Sequence, residues 1–133
     1  MRSSSSTILP SRSAIVANID DLAISADAKV WLKRALDVTA EVGTRVVAIG
    51  REIVARILEF ARAFPSTTFG VIVGFTMGAL ISSIPLVGLV LGPMLTPLLV
   101  ALGLGTGAIA DMKDGALRAR VVDLERSVAA KLA

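Results

Sequence analysis

The middle of the chain carries no charged side chain. From Ala63 to Ala110, 48 consecutive residues lack Asp, Glu, Lys and Arg, and the polar side chains among them are all hydroxyls. About 20 apolar residues suffice to cross a bilayer as a helix, so this run is long enough for two crossings. The predicted fold class is therefore all-α: a membrane helical hairpin over residues 65–110, flanked by a long N-terminal amphipathic helix and a short C-terminal amphipathic helix.

The composition excludes several classes of chemistry. The chain of 133 residues has no Cys and no His, so disulfides, thiolate metal sites and histidine bases are absent from it. Its net charge of +3 comes from interleaved basic and acidic residues rather than from a basic patch, which argues against nucleic acid as a partner. We therefore expect a protein without enzymatic activity, metal or cofactor.

The segment before the hairpin divides at Ser25. Residues 1–25 begin with a Ser run and two arginines, a composition shared by transit peptides and solvated tails, and we expect a flexible tail. Residues 26–64 place their charged side chains on one half of a helical wheel and their apolar side chains on the other. They are predicted to form one amphipathic helix with Ser25 as its N-cap, Asp27 in its first turn and an end at Pro65.

The first arm of the hairpin contains a ridge of small residues. Within residues 66–84, every fourth position is small, and we call this set the glycine ridge: Gly70, Gly74, Gly78 and Ser82. Small residues at this spacing allow the backbones of two helices to approach closely. The ridge is predicted to pack either against the second arm of the same hairpin or against other copies of the chain.

The reversal between the arms must be made from apolar residues. The candidates for this turn are Pro85, Gly88, Gly92, Pro93 and Pro97. A second arm that begins near Leu89 is long enough to span the bilayer, whereas one that begins at Pro97 is too short and implies a re-entrant hairpin. Unsatisfied backbone groups in lipid are costly, which favours the two-pass arrangement.

Charged residues lie on both sides of the hairpin and none lies at its turn. Arg62, Asp111 and Lys113 are predicted to mark the membrane edge, and the positive-inside rule places both termini in the cytoplasm. Residues 111–133 are predicted to form the C-terminal amphipathic helix. Its coiled-coil seam consists of Leu117, Val121, Leu124 and Val128, and it should dock on the first amphipathic helix or on copies of itself.

Two short stretches resemble known membrane families. GVIVGFTMGALISSI, residues 70–84, resembles the pore-lining first transmembrane helix of large-conductance mechanosensitive channels, which share a glycine ridge followed by a Ser-Ser pair. The set Pro85, Pro93 and Pro97 is similar to the proline knot of oleosins, whose apolar hairpin turns within a lipid-droplet monolayer. The first resemblance implies helices packed around a pore, and the second implies a monolayer coat.

These observations predict a small integral membrane protein. It would self-associate through the glycine ridge and its cytoplasmic amphipathic helices, and would scaffold or shape a membrane or recruit a partner. The alternatives are an oligomeric, holin-like pore-former or channel and a lipid-droplet coat. The predicted partners are the lipid bilayer, further copies of the chain and a membrane or cytoplasmic protein.

Overall fold

The computed structural model describes residues 11–102 and 115–132. Within these ranges the protein is mostly helical, which confirms the all-α class, and it also contains one two-stranded sheet. The elements in chain order are α1 (Arg12–Asp20), α2 (Ala26–Leu36), β1 (Thr39–Val42), β2 (Arg45–Ala48), α3 (Ile49–Ala63), α4 (Phe69–Ser83), α5 (Pro85–Ala101) and α6 (Gly115–Leu132).

Helix α1 lies in the segment predicted to be a flexible tail. Its N-cap is Ser11, whose hydroxyl accepts a hydrogen bond from the amide of Ala14, and Ile15 and Ile19 are buried. The Arg12 guanidinium donates to both carboxylate oxygens of Asp37 at 2.9 and 3.1 Å, which holds the pKa of that carboxyl below its ordinary value. The prediction of a tail is therefore wrong from residue 12 onward, because two isoleucines at helical spacing dock on the core.

Helix α2 begins as predicted. The Ser25 hydroxyl accepts from the amide of Ala28, and Asp27 lies in the first turn, so the predicted N-cap is confirmed. The same hydroxyl donates to the carbonyl oxygen of Ala101 at 2.9 Å. One side chain thus satisfies an amide at the start of α2 and a carbonyl at the end of α5.

A β-hairpin replaces the middle of the predicted long helix. Strands β1 and β2 pair antiparallel, with Thr39 opposite Ala48 and Val42 opposite Arg45. The residues between α2 and α3 are rich in β-branched side chains, which favour strands, and Gly43 opens the two-residue loop with a φ of +61°. The prediction of one continuous helix over residues 26–64 is therefore wrong, since a positive φ at Gly43 ends any helix.

Replacing Gly43 with alanine should weaken this hairpin. Open space surrounds the position, so the cost comes from the backbone conformation and not from a clash. A left-handed conformation costs an L-residue about 1–2 kcal/mol, and we expect that loss in the free energy of unfolding. Urea unfolding followed by the fluorescence of Trp31 measures it, with Thr44→Ala as the control. Equal midpoints for the two variants would contradict the positive φ.

The predicted turn residues do not form a turn as a group. Helix α3 ends at Ala63, just before Phe64 and Pro65, as predicted. Only Ile84 separates α4 from α5, and its extended backbone is the conformation favoured before proline. Pro85 begins α5 at a position that suits proline, whereas Gly88, Gly92, Pro93 and Pro97 lie inside this helix. Four of the five predicted turn residues are therefore misplaced.

No helix in the two described ranges is both long and apolar enough to cross a membrane. The 15 residues of α4 extend about 22 Å and the 17 residues of α5 about 26 Å, short of a hydrocarbon core of about 30 Å. Helix α4 lies between Pro65 and Pro85, and α5 ends at Ala101, so neither helix reaches spanning length. This finding contradicts the predicted transmembrane hairpin, the membrane localisation with cytoplasmic termini, and the integral-membrane function together with its alternatives.

The apolar helices form the core instead. Helices α4 and α5 pack against each other, and the amphipathic helices cover them: α2 lies against α5, while α3 and α6 lie against α4. The amphipathic helices turn their apolar sides inward, where burial of one large apolar side chain contributes about 1.5–3 kcal/mol. The core includes Leu32, Ile53, Ile57, Phe60, Ile72, Leu80, Leu91, Leu117 and Leu124.

Candidate functional site: the outer face of α5

The glycine ridge lies largely inside the chain. Gly70 and Gly74 are buried, Gly78 is half-buried and only Ser82 is exposed. The helix that carries them packs against α3, α5 and α6 of the same chain. The buried part of the ridge is therefore closed to a second copy.

The C-terminal seam is buried, and Arg62 is the one predicted edge charge among the described residues. Leu117, Val121, Leu124 and Val128 are buried on the side of α6 that faces α3 and α4. Two arginines of α6 stack on aromatic rings of its neighbours, Arg118 on Phe75 at 5.6 Å and Arg120 on Phe64 at 5.8 Å. Arg62 is exposed at the end of α3, whereas Asp111 and Lys113 lie outside the described residues.

A buried carboxylate joins α3 to α6. Glu52 is 4% exposed, and its two oxygens contact the ammonium of Lys131 and the hydroxyl of Ser127. Burial alone would raise the pKa of Glu52, but the hydrogen bonds from Lys131 and Ser127, with the charges of Lys131 and Arg56, bring it below the ordinary value of 4.5. Because the serine proton and the lysine charge are both committed to Glu52, this cluster is a structural contact rather than a nucleophile and its base.

A small apolar cavity lies between α2, α3, α4 and α5. Its lining consists of Leu32, Ala35, Gly50, Ile53, Val54, Ile57, Met77, Leu91 and Leu98. The volume of this cavity is about 10 Å³, near the lower limit for one water molecule. The side chains that line it offer no hydrogen-bond partner. The cavity is therefore a packing defect and does not suit a ligand. No group of three or more metal-ligating side chains occurs in the described ranges.

The outer face of α5 is the most distinctive surface. We define it as the exposed residues of this helix, which recur at intervals of three or four: Pro85, Leu89, Pro93, Thr96 and Val100. Leu89 is 79% exposed and Val100 is 67% exposed, unusually high values for large apolar side chains. Large apolar side chains exposed along one helical face are typical of interaction sites.

This face is free of charge along its whole length. It extends about 22 Å from Pro85 to Val100, and α5 contains no Asp, Glu, Lys or Arg. The exposed sides of α1, α2, α3 and α6, in contrast, carry charged residues. This face is not evident from the sequence, because the residues on all sides of α5 are uncharged and no polar side distinguishes outside from inside.

The prolines of α5 leave two carbonyl groups without their helical donors. Proline has no backbone N–H, so Pro93 cannot donate to the carbonyl of Leu89, and Pro97 cannot donate to the carbonyl of Pro93. Leu89 and Pro93 are both exposed, and the carbonyl of Leu89 lies between them. The outer face therefore combines apolar side chains with backbone hydrogen-bond acceptors.

Compared with known proteins, the chain matches no family model, no curated protein and no solved structure.

Proposed function

We propose that this protein is a non-enzymatic structural module that self-associates through the outer face of α5. The exposure of Leu89 and Val100 on one uncharged helical face carries this proposal. Burial of these two side chains in each of two copies offers a gross gain of about 6 kcal/mol, which the costs of association reduce. We therefore expect a dimer that dissociates on dilution.

Charge favours a second copy as the occupant. In a two-fold interface the same patch appears on both sides, so a patch with a net charge meets a net charge of the same sign on the other copy. The outer face of α5 contains no charged side chain, so no such repulsion opposes its pairing with a second copy. The absence of His and Cys and the commitment of Ser127 and Lys131 to Glu52 support a role without catalysis.

The substitution Leu89→Glu tests this function. It places a carboxylate at a position that is 79% exposed, so the monomer should stay folded, whereas a dimer would have to bury the new charge without a partner. Sedimentation velocity over micromolar to millimolar concentrations should show a dimer that grows with concentration in the parent and a monomer throughout in the variant.

Val122→Glu is the matched control. Val122 is an exposed valine on α6, a helix that packs on α3 and α4 and lies away from the outer face of α5. This variant should dimerise like the parent. A parent that is monomeric at every concentration, or a Leu89→Glu variant that still dimerises, would overturn the proposal. Binding of the parent to phosphatidylcholine vesicles that is lost in Leu89→Glu would assign the face to lipid instead.

A further inference from the structure

The outer face of α5 is symmetric about its midpoint. Its exposed positions are 85, 89, 93, 96 and 100, so reversal of the helix about a point between 92 and 93 exchanges 85 with 100 and 89 with 96. At the centre of such a pair, Pro93 would lie opposite Gly92, which has open space where a side chain would project. In an antiparallel pair of α5 helices, four of the five exposed positions would therefore lie opposite exposed positions of the other copy.

The hydrogen-bonding groups follow the same symmetry. The carbonyl of Leu89 lacks its helical donor, because residue 93 is proline. Thr96 carries the one side-chain hydroxyl of the outer face, and it is exposed. The Leu89 carbonyl and the Thr96 hydroxyl lie on opposite sides of the midpoint, so antiparallel pairing brings each hydroxyl to the level of the Leu89 carbonyl of the other copy. Parallel pairing in register would place Thr96 beside Thr96 and leave both carbonyls unpaired.

We infer that two copies of the chain pair α5 antiparallel around residues 92 and 93, with the Thr96 hydroxyl of each copy donating to the Leu89 carbonyl of the other. This inference rests on the proposed self-association and adds its direction, its register and its polar contact. The donor and acceptor also limit the interface to two copies, since a two-fold axis uses both pairs at once.

Cysteine cross-linking tests the direction, and the natural chain has no cysteine to interfere. In the antiparallel pair, position 89 of one copy faces position 96 of the other, whereas like positions are separated by about 10 Å along the axis, beyond disulfide reach. An equimolar mixture of Leu89→Cys and Thr96→Cys should form cross-linked heterodimers on oxidation, and each variant alone should not. Each variant is first shown to self-associate when reduced.

Removal of the hydroxyl tests the polar contact. Thr96→Val keeps the shape of the side chain and removes two hydrogen bonds per dimer, so the dissociation constant should rise about tenfold or more. Thr96→Ser keeps the hydroxyl and therefore both hydrogen bonds, so its dissociation constant should lie within about threefold of that of the parent.

The outcomes separate the inference from the function on which it rests. Cross-linking within Leu89→Cys alone, or equal dissociation constants for Thr96→Val and the parent, would overturn the antiparallel contact while the self-association stands. Failure of the mixture to cross-link in a parent that dimerises and is sensitive to Leu89→Glu would overturn the register. A parent that is monomeric at all concentrations would remove the function and the inference together.

Discussion

Gly50→Ala is expected to lower the free energy of unfolding by about 3 kcal/mol or more. A Cβ at residue 50 would lie 1.7 Å from the carbonyl oxygen of Ala35 and 2.9 Å from its carbonyl carbon. Both atoms belong to backbone, so no side-chain rotation relieves the overlap. Helices α2 and α3 must separate, and urea unfolding followed by Trp31 fluorescence will record the loss.

The close approach has a visible cause. Gly50 is the second residue of α3, and its amide donates to the carbonyl of Val38 at 3.1 Å, which draws the start of α3 against the end of α2. With total stabilities of 5–15 kcal/mol for typical domains, the loss removes a large fraction of the fold's stability. A midpoint unchanged from the parent would show that α2 and α3 do not approach this closely.

Gly92→Ala is the matched control. Gly92 also lies in a helix, but a Cβ at this position meets nothing within 4 Å. Alanine should therefore stabilise α5 by about 0.5–1 kcal/mol through helix propensity alone. The two glycine-to-alanine changes are thus expected to have opposite signs, provided both are measured on diluted, monomeric protein.

Lys131→Met is expected to lower the free energy of unfolding by about 2 kcal/mol at neutral pH, because it removes the ammonium that contacts the buried Glu52 carboxylate. The 41% exposure of the lysine side chain keeps this loss below that of a fully buried pair. In this variant the Ser127 hydroxyl still donates a hydrogen bond to the Glu52 carboxylate. Arg126→Met is the control: Arg126 contacts Asp123 at 4.0 Å with both side chains well exposed, and its loss should stay within about 0.5 kcal/mol. Urea unfolding compares the two losses, and similar values would contradict the burial of Glu52.

The pH dependence of this loss identifies the carboxylate. In the parent the pKa of Glu52 is lowered, so its contribution is complete above the ordinary value of 4.5 and declines as the pH falls through the folded-state pKa. In Lys131→Met the hydrogen bond and the charge of Lys131 are lost, so burial makes the pKa of Glu52 higher than in the parent. The stability difference between parent and variant should therefore shrink as the pH falls through the range between the Glu52 pKa of the folded variant and the lower Glu52 pKa of the folded parent. A difference that is constant with pH would assign the loss to packing of the lysine stem.

Local signals were sufficient to predict several helix ends. Ser25 caps α2 because its hydroxyl reaches the amide of Ala28, and Pro65 stands just after α3 because a ring nitrogen cannot continue a helix. These features act within a few residues, so the sequence displays them directly. The mostly helical class followed from the same kind of periodicity.

The prediction of membrane-spanning helices was wrong because it relied on the length of the uncharged run. The uncharged run from Ala63 to Ala110 is long enough for two membrane passes, but α4 and α5, the helices described within it, contain only 15 and 17 residues. The helical spacing of apolar residues across 39–48 also arises when β-branched residues cluster, and Gly43 was the turn signal that decided between helix and hairpin.

Neither the buried position of Glu52 nor the outer face of α5 produces a recognisable pattern in the neighbouring sequence. Glu52 lies among charged residues in the sequence, and only the docking of α6 buries it against Ser127 and Lys131. The outer face of α5 has no polar contrast with its inner face, so exposure had to be read from packing rather than from periodicity. Both depend on contacts between elements far apart in the chain.

The single residue between α4 and α5 restricts how this chain can vary. Because Ile84 is the one residue between α4 and α5, an inserted residue would lengthen one of these two helices. Each residue added to a helix rotates everything beyond it by about 100°. An insertion early in α5 would therefore swing Val87 and Leu91 out of the interior and carry Leu89 toward it. Natural relatives of this protein should tolerate many changes of side chain along α4 and α5, yet keep the number of residues from Thr68 to Ala101 fixed.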